Sequence, residues 1–318
     1  MSRCTCTKNN IQKKIQHKKV SSYKRKQFAM WYVFLAIPII GFFVFTLYPM
    51  LWAVIKAWFY YNGSKSAQRF VGWDNFKTLF TDKTYWNSWL VTLKFAVGKL
   101  PIELSLAMIL ALILNKRIKM TGFYRSVFYL PSIISVAVIG VIFANMFDYF
   151  GFINAILIKV GLSQTGIDWF SNEHTALFAL ITASVWNTFG INVMYFLAAL
   201  KNVPEELYES AYLDGANKPR VFFQITLPLM GPVLQTILLL SLNGTLQTND
   251  LILATTNGAP AGKTYTVMSY VVSKFIPGFA EQKVNIGYGC ATALITAAIL
   301  MIIALSYSKL SKKLADIY

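Results

Sequence analysis

Two long apolar runs of this 318-residue chain are joined by the polar segment KNVPEELYESAYLDGANKPRVFFQITLPLM, residues 201–230. Pro204 suits the first turn of a helix, and the two glutamates that follow it favour the positive end of the helix dipole. Leu207 and Ala211 are four residues apart, so they share one face of that helix. Gly215 suits a left-handed helix stop, and a second amphipathic stretch follows it. The segment is therefore predicted to form a short helix, a turn and a second short helix.

A connection between two helices usually needs only a few residues. The length, caps and patterned face of residues 201–230 therefore indicate either a hairpin that lies on the membrane surface or, more specifically, an element that docks a partner protein. The sequence favours the docking element.

The composition is that of a membrane protein. Hydrophobic residues make up 56% of the chain and charged residues 14%, and the mean hydropathy is +0.49. Soluble domains contain about 45–50% apolar and about 25% charged residues, so this chain lacks the polar side chains to coat a soluble surface. The apolar content also excludes a disordered chain, and the presence of only three cysteines argues against a disulfide scaffold.

Charge-free runs of about 20 residues are long enough to cross a bilayer as helices. Five runs lack Lys, Arg, Asp and Glu, namely 28–55, 126–147, 174–200, 221–249 and 284–308. A sixth apolar run, at about 86–115, contains Lys94, Lys99 and Glu103. We therefore predict an all-α polytopic membrane protein with six transmembrane helices. Lys99 and Glu103 are one helical turn apart and are expected to neutralise each other, with a substrate contact as the alternative.

The basic residues predict the orientation. If the N-terminus is inside, the inside segments hold 19 of the 30 Lys and Arg residues and the outside segments hold 9. Cytoplasmic loops are the richer in Lys and Arg, so both termini are predicted to be cytoplasmic. The chain divides into a basic cytoplasmic tail, 1–27, and a transmembrane domain, 28–318. The tail is expected to meet either anionic lipid or a partner protein. This distribution of the net charge of +17 argues against nucleic-acid binding.

Residues for catalysis are missing from the sequence. No Gly-x-x-x-x-Gly-Lys-Ser/Thr loop occurs, so we do not expect the chain itself to bind ATP. His17 and His174 are far apart in the sequence, and Cys4 and Cys6 form a pair without further ligands. We therefore predict neither an enzyme nor a metal site.

Three motifs resemble one family. The first reads Glu209-Ser-Ala, then Gly215 after three residues, then Ile225-x-Leu-Pro after nine more. It resembles the "EAA" signature of permease subunits of binding-protein-dependent ABC importers, with Ser210 in place of the first alanine. Phe128-Tyr-Leu-Pro-Ser and Thr256-Asn-Gly-Ala-Pro are similar to motifs of the carbohydrate branch, of the maltose and multiple-sugar type. In the latter motif an alanine replaces a glycine.

The resemblance implies the fold of type I ABC importer permeases in the bacterial cytoplasmic membrane. It implies a second homologous permease subunit, two cytoplasmic ATPase subunits that hold ATP and Mg, and an extracytoplasmic solute-binding protein as partners. Residues 201–230 would be the coupling segment that docks in the ATPase. The residues assigned to this coupling are Glu209, Ser210, Ala211, Asp214, Gly215, Ile225, Leu227 and Pro228.

Polar residues recur at helical spacing in three of the apolar runs. Such stripes suit a sugar, because amides and hydroxyls bond its hydroxyl groups and an aromatic ring stacks on its C–H face. They also suit ordinary packing between membrane helices, and this alternative stays open. The positions that match sugar-contacting positions of the maltose-type subunit, together with two flanking amides, are Phe128, Ser132, Ser184, Asn187, Thr188, Ile191, Ser241, Asn243, Gly244, Thr245 and Gln247.

The predicted function is import of a sugar or oligosaccharide by alternating access. A glycerol-phosphate-like solute is an alternative, although no arginine cluster lies in the apolar runs. A secondary transporter is another alternative, but it would need inverted repeats and a buried acidic ion site, and neither is evident in the sequence. A membrane scaffold is a third alternative, but it would not need polar stripes.

Overall fold

The computed structural model describes residue 28 and residues 30–116, 119–276 and 284–315. The predicted basic tail, 1–27, lies outside the described residues, as do His17, Cys4 and Cys6. The chain divides after Lys56 into two units, so the predicted domain 28–318 spans this division. The first unit contains helix α1, Met30–Lys56, whose most apolar window has no buried residue. A π-helical turn, Phe43–Leu47, interrupts its regular hydrogen bonding.

The second unit begins with a two-stranded antiparallel hairpin, β1 (Phe59–Tyr60) and β2 (Arg69–Phe70), in which Phe59 lies opposite Phe70. All longer elements are helical, so the predicted all-α class is confirmed. These helices are α2 (Asp74–Thr81), α3 (Lys83–Leu114), α4 (Thr121–Ile133), α5 (Val136–Met146), α6 (Phe152–Lys159), α7 (Glu173–Leu200), α8 (Glu205–Leu213), α9 (Lys218–Leu229), α10 (Gly231–Leu246), α11 (Asp250–Thr255), α12 (Val267–Ser273) and α13 (Ile286–Ala315).

Among the described residues, four helices are long and apolar enough to cross a membrane: α1, α3, α7 and α13. They coincide with the first, second, fourth and sixth predicted spans. The third and fifth spans are bent pairs of helices, with an angle of 91° between α4 and α5 and of 75° between α9 and α10. The part of the chain that the structure describes therefore has four candidate spans by length and composition, or up to six if each bent pair counts as one.

The two bends have local causes that the apolar pattern did not reveal. Pro131 lies in the last turn of α4, and the backbone turns extended at Ile134 and Ser135. Pro232 lies at the start of α10 and has no N–H group to continue the hydrogen bonding of α9.

Helices α3 and α7 form the centre of the second unit. Near one end, buried side chains of both helices pack with α5 and α11, including Phe95, Phe143 and Leu180. Near the other end, Ala111 and Phe196 belong to a second apolar cluster with α10. Buried polar residues of α3 and α7 lie between the two clusters along the sequence. Around α3 and α7, the core therefore has a polar layer between two apolar clusters. A third cluster, which includes Leu79, Tyr85 and Tyr270, lies around the start of α3.

A close backbone contact joins α4 to α7. A Cβ atom built on Gly190 would lie 1.9 Å from the carbonyl oxygen of Phe128. The Ser132 hydroxyl donates to the Asn187 carbonyl at 2.7 Å, and the Asn187 amide donates to the Pro131 carbonyl at 3.0 Å. Gly190 is thus needed for the distance at which these hydrogen bonds form.

We predict that Gly190→Ala lowers the melting temperature of the detergent-purified protein, because the added methyl group would force α4 and α7 apart. Overpacking of this kind costs about 1–3 kcal/mol. Gly122→Ala in α4 is the control, since nothing lies within 4 Å of a Cβ atom there. Equal melting temperatures for the two variants would contradict the close contact.

Candidate functional site

The segment that joins α7 to α10 forms the predicted helix, turn and helix. Glu205 and Glu206 lie in the first turn of α8, and Gly215 has a positive φ of 76°. The Ala216 amide donates to the Ala211 carbonyl at 2.9 Å, and the Gly215 amide donates to the Tyr212 carbonyl at 3.1 Å. These two bonds form a Schellman stop, which requires a left-handed residue. We call α8, this turn and α9 the hairpin.

The hairpin is fastened internally and to the helices beside it. The Tyr208 hydroxyl and the buried Thr226 hydroxyl are 3.2 Å apart and join α8 to α9. The Asn217 side chain caps α9 by accepting from the Arg220 amide at 3.0 Å. Val203 and Met230, at the two ends of the hairpin, are buried in the apolar cluster that contains α3 and α7. The hairpin is therefore held as one unit on these long helices.

A groove with a volume of about 370 Å³ lies between α8 and α9, and we call it the hairpin groove. It is lined by Leu207, Ser210, Ala211, Asp214, Gln224, Ile225, Pro228 and Leu229. Five of the residues predicted for coupling are among them. Of the other three, Glu209 is exposed, Gly215 forms the turn, and Leu227 is half-buried. Leu213, next to the turn, is 88% exposed. The hairpin thus presents apolar and acidic groups together on its surface.

A second concavity, which we call the central cavity, has a volume of about 430 Å³. Its walls come mainly from α7 and α10. Seven residues of the predicted substrate site line it: Ser184, Asn187, Thr188, Ile191, Ser241, Gly244 and Gln247. The structure therefore brings polar residues from the stripes of two helices to one space.

The lining does not include the other four predicted substrate residues. Phe128 packs edge-to-face on Phe189, with ring centroids 5.9 Å apart, and Ser132 bonds the backbone of α7. Asn243 is exposed and accepts from the Gln247 amide at 2.6 Å. Thr245 has no exposed surface. Phe128, Ser132 and Thr245 thus contact neighbouring helices, whereas Asn243 bonds at the end of its own helix.

Several residues of the cavity wall were not predicted as site residues. They are Lys99, Glu103, Val136, Asn192, Tyr195, Leu240, Thr248, Asn249, Asp250 and Leu251. A signal for Asn192 and Tyr195 was available, because they continue the stripe of Thr188 by one and two helical turns. Thr248 continues the stripe of Ser241 and Gly244 by one helical turn, but nothing in the sequence pattern placed residues 249–251 beside α7.

The predicted pairing of Lys99 with Glu103 is confirmed. The Lys99 ammonium lies 3.3 Å from Glu103 Oε2, and both side chains are almost fully buried. The Asn192 amide donates to Glu103 Oε1, and Lys99 donates to the Thr245 hydroxyl at 3.2 Å. Buried charges in proteins need to be paired and hydrogen-bonded, and Lys99 and Glu103 meet both conditions. The cavity wall thus contains a polar network that links α3, α7 and α10.

A third cavity has a volume of about 610 Å³ and lies beside the loop that the Thr256–Pro260 motif forms. We call it the loop cavity. Asp82, Tyr265 and Lys274 are among its lining residues. Asp82 precedes α3 and caps it by accepting from the Thr84 and Tyr85 amides. It also accepts from the hydroxyls of Tyr270 and Tyr288. Burial raises the pKa of Asp82, but these hydrogen bonds outweigh burial and hold its pKa below the ordinary value of 3.8.

Comparison with known proteins identifies relatives. A family described as "Binding-protein-dependent transport system inner membrane component" matches residues 103–316. The chain is 36% identical to the probable ABC transporter permease protein YesP of Bacillus subtilis (strain 168), over 90% of this chain and 92% of that protein. It is 32% identical to the arabinooligosaccharides transport system permease protein AraP of the same organism, over 88% of each chain.

A solved structure shares the fold. It is described as the bacterial alginate ABC transporter in complex with alginate pentasaccharide-bound periplasmic protein. The match has a TM-score of 0.77 and covers 91% of this chain and 96% of that chain. At 22% sequence identity, this likeness concerns the fold alone.

We predict that Asp82→Asn lowers the melting temperature at pH 7, because asparagine still caps a helix but carries no charge for the two tyrosine hydroxyls. Asp82 has a lowered pKa when folded, so its contribution is present above the pKa of the unfolded chain and is lost as the pH falls through the folded value. The difference from native protein should therefore shrink below the ordinary value of 3.8.

The control for this prediction is Asp74→Asn, which removes an exposed carboxylate paired with Lys77 on α2. Melting curves at pH 7 and pH 3.5 test the prediction. A difference between native and Asp82→Asn protein that stays the same at both pH values would contradict it.

Proposed function

The chain belongs to the family of binding-protein-dependent transport system inner membrane components, and from this membership we propose that it imports sugars or oligosaccharides as the permease subunit of an ABC importer. It is a transport subunit and not an enzyme, because its family and its relatives are permease components. We propose that the substrate passes through the central cavity by alternating access.

The observation that carries the proposal is the chemistry of the central cavity. In a chain whose composition is that of a membrane protein, amides and hydroxyls of α7 and α10 line one space. Polar groups in membrane helices are costly unless they pair or face a water-filled path. A carbohydrate matches these groups, because each of its hydroxyls both donates and accepts. The relative AraP is named for transport of arabinooligosaccharides, which agrees in substrate class.

The proposal includes partners. A solute-binding protein on the extracytoplasmic side would deliver the sugar, a second homologous permease would complete the pathway, and two cytoplasmic ATPase subunits would hold ATP and Mg. Both termini of this multi-pass chain would be cytoplasmic, in a bacterial cytoplasmic membrane. The exposed Leu213 and the hairpin groove offer a surface for a partner, which supports the hairpin as the ATPase-docking element. Because the hairpin is firmly held, it would transmit motion to the helices beneath it.

A glycerol-phosphate-like substrate is less well supported. Phosphate recognition favours arginine forks, and no arginine is among the described residues that line the central cavity. Its lysine, Lys99, is already paired with Glu103.

We predict that Gln247→Leu and Asn187→Leu reduce sugar uptake by reconstituted transporter roughly tenfold, because an unpaired polar group costs about 1–3 kcal/mol. The probes are radiolabelled arabinotriose, maltose and lactose, each with the cognate binding protein. Asn145→Leu is the control, since this exposed amide of α5 bonds only the Val141 carbonyl. Uptake that is unchanged in both cavity variants would remove the two residues from the substrate site.

We predict that Glu209→Lys and Gly215→Pro lower both copurification of the ATPase subunits and sugar uptake, by about fivefold or more, as expected for loss of a central interface contact. A lysine at position 209 would reverse the charge that Glu209 is proposed to present to the ATPase. A proline at position 215 would abolish the left-handed turn. Lys159→Glu, an exposed charge reversal on α6, is the control. Normal uptake by both hairpin variants, at equal amounts in the membrane, would refute the docking role.

A further inference from the structure

The polar network in the wall of the central cavity has a defined direction of hydrogen bonding. It begins with the ion pair of Lys99 and Glu103 on α3. A lysine ammonium only donates, and an ionised carboxylate only accepts. Asn192 on α7 must therefore turn its NH₂ group toward Glu103, as it does in the structure. The amide oxygen of Asn192 consequently points away from the ion pair.

The amide oxygen of Asn192 determines the hydrogen-bonding role of the Ser241 hydroxyl. The Ser241 hydroxyl on α10 donates its proton to Asn192 Oδ1 at 3.1 Å. A serine hydroxyl has one proton and two acceptor sites, so the remaining capacity of Ser241 is to accept. Ser241 and Asn192 both belong to the wall of the central cavity, but Ser241 is partly exposed whereas Asn192 is almost completely buried.

The neighbouring hydroxyl, that of Thr245, cannot take the place of Ser241 as a contact for a ligand in the cavity. Thr245 donates to the Ser241 carbonyl at 2.7 Å and accepts from Lys99 at 3.2 Å. It has no exposed surface, so a ligand in the cavity does not reach it. Ser241 is thus the hydroxyl through which this network meets the cavity.

We infer that Glu103, held by Lys99, is a positioning residue that makes Ser241 a hydrogen-bond acceptor, so that the importer selects substrates presenting a donor hydroxyl at this point. The inference rests on the proposed sugar-import function. A fluorine atom in place of that substrate hydroxyl accepts weakly and cannot donate. Two acceptors would then face each other, and the substrate would be rejected.

Glu103→Gln tests the direction of the network. The new amide oxygen can accept from Lys99, and the new NH₂ group can donate to Asn192 Oδ1. Asn192 is then able to turn its own NH₂ group toward Ser241, which frees the serine proton for the substrate. The same side-chain volume is kept, so the substitution changes the hydrogen-bond polarity and the charge beside Lys99 more than it changes packing.

The chain offers a matched control. Lys94 and Glu173 also form an ion pair between α3 and α7, with 2.6 Å between Nζ and Oε1, but neither residue lines the central cavity. Glu173→Gln therefore removes an acidic charge from the same pair of helices without touching Asn192.

The experiment uses the complete transporter in liposomes with its binding protein. Uptake of arabinotriose, maltose and lactose is measured first, and each hydroxyl of the sugar with the fastest native uptake is then replaced in turn by fluorine. Native protein and Glu173→Gln should take up one fluorinated analogue about tenfold more slowly than the parent sugar, as expected for an unmatched polar contact. The ratio of these two uptake rates is the quantity compared between variants. Glu103→Gln should reduce that ratio to about threefold or less. Ser241→Ala, which lacks the acceptor, should bring it close to one.

The ratio between parent sugar and analogue separates positioning from folding, because loss of structure lowers uptake of both. If the ratio is the same in native, Glu103→Gln and Ser241→Ala protein for every analogue, the inference is overturned while the proposed function stands. If Glu103→Gln does not assemble, Ser241→Ala alone decides, and an unchanged tenfold ratio in that variant overturns the inference. If native transporter takes up none of the three sugars, the proposed function fails and the inference fails with it.

Discussion

The cost of placing polar groups in hydrocarbon is the constraint on which the rest of this structure depends. The chain keeps a lysine and a glutamate, Lys99 and Glu103, inside its longest helix. Either charge alone would be costly there. They are held together at 3.3 Å and bonded further by Asn192 and Thr245. Meeting this requirement ties α3, α7 and α10 into one arrangement, since each helix supplies a part that the others need.

The same requirement orders the core. Apolar clusters lie on both sides of the polar layer, and the central cavity opens beside that layer. At the end toward the hairpin, Met230 marks the bend between α9 and α10 and is buried in the second apolar cluster. In the proposed importer, a movement of the hairpin would reach the helix that carries Ser241 through this bend. A stiff, well-anchored connection is what the proposed transport cycle needs between its energy source and its pathway.

Different parts of the architecture were predictable to different degrees. Apolar runs predicted the four continuous helices that are long and apolar enough to cross a membrane, because length and hydropathy are local properties. They did not predict the bends of 91° and 75°, because a proline shows that a helix is interrupted but not the direction in which the chain continues. Helical spacing grouped Ser184, Asn187 and Thr188 correctly on one wall of the cavity. It also grouped Thr245 with the lining, although that hydroxyl faces Lys99 and is fully buried.

The sequence by itself determined the membrane class and the helix–turn–helix character of residues 201–230, because each depends on composition or on residues that are close together in the chain. It also placed Lys99 and Glu103 one helical turn apart, which favoured their pairing but left a substrate contact open. The tertiary structure alone decided which polar residues share a cavity, and in which direction their hydrogen bonds run. Asn192 and Ser241 are 49 residues apart, and no local pattern relates them. Their contact exists only after α3, α7 and α10 have packed, and the cavity wall acquires its hydrogen-bond polarity at that stage.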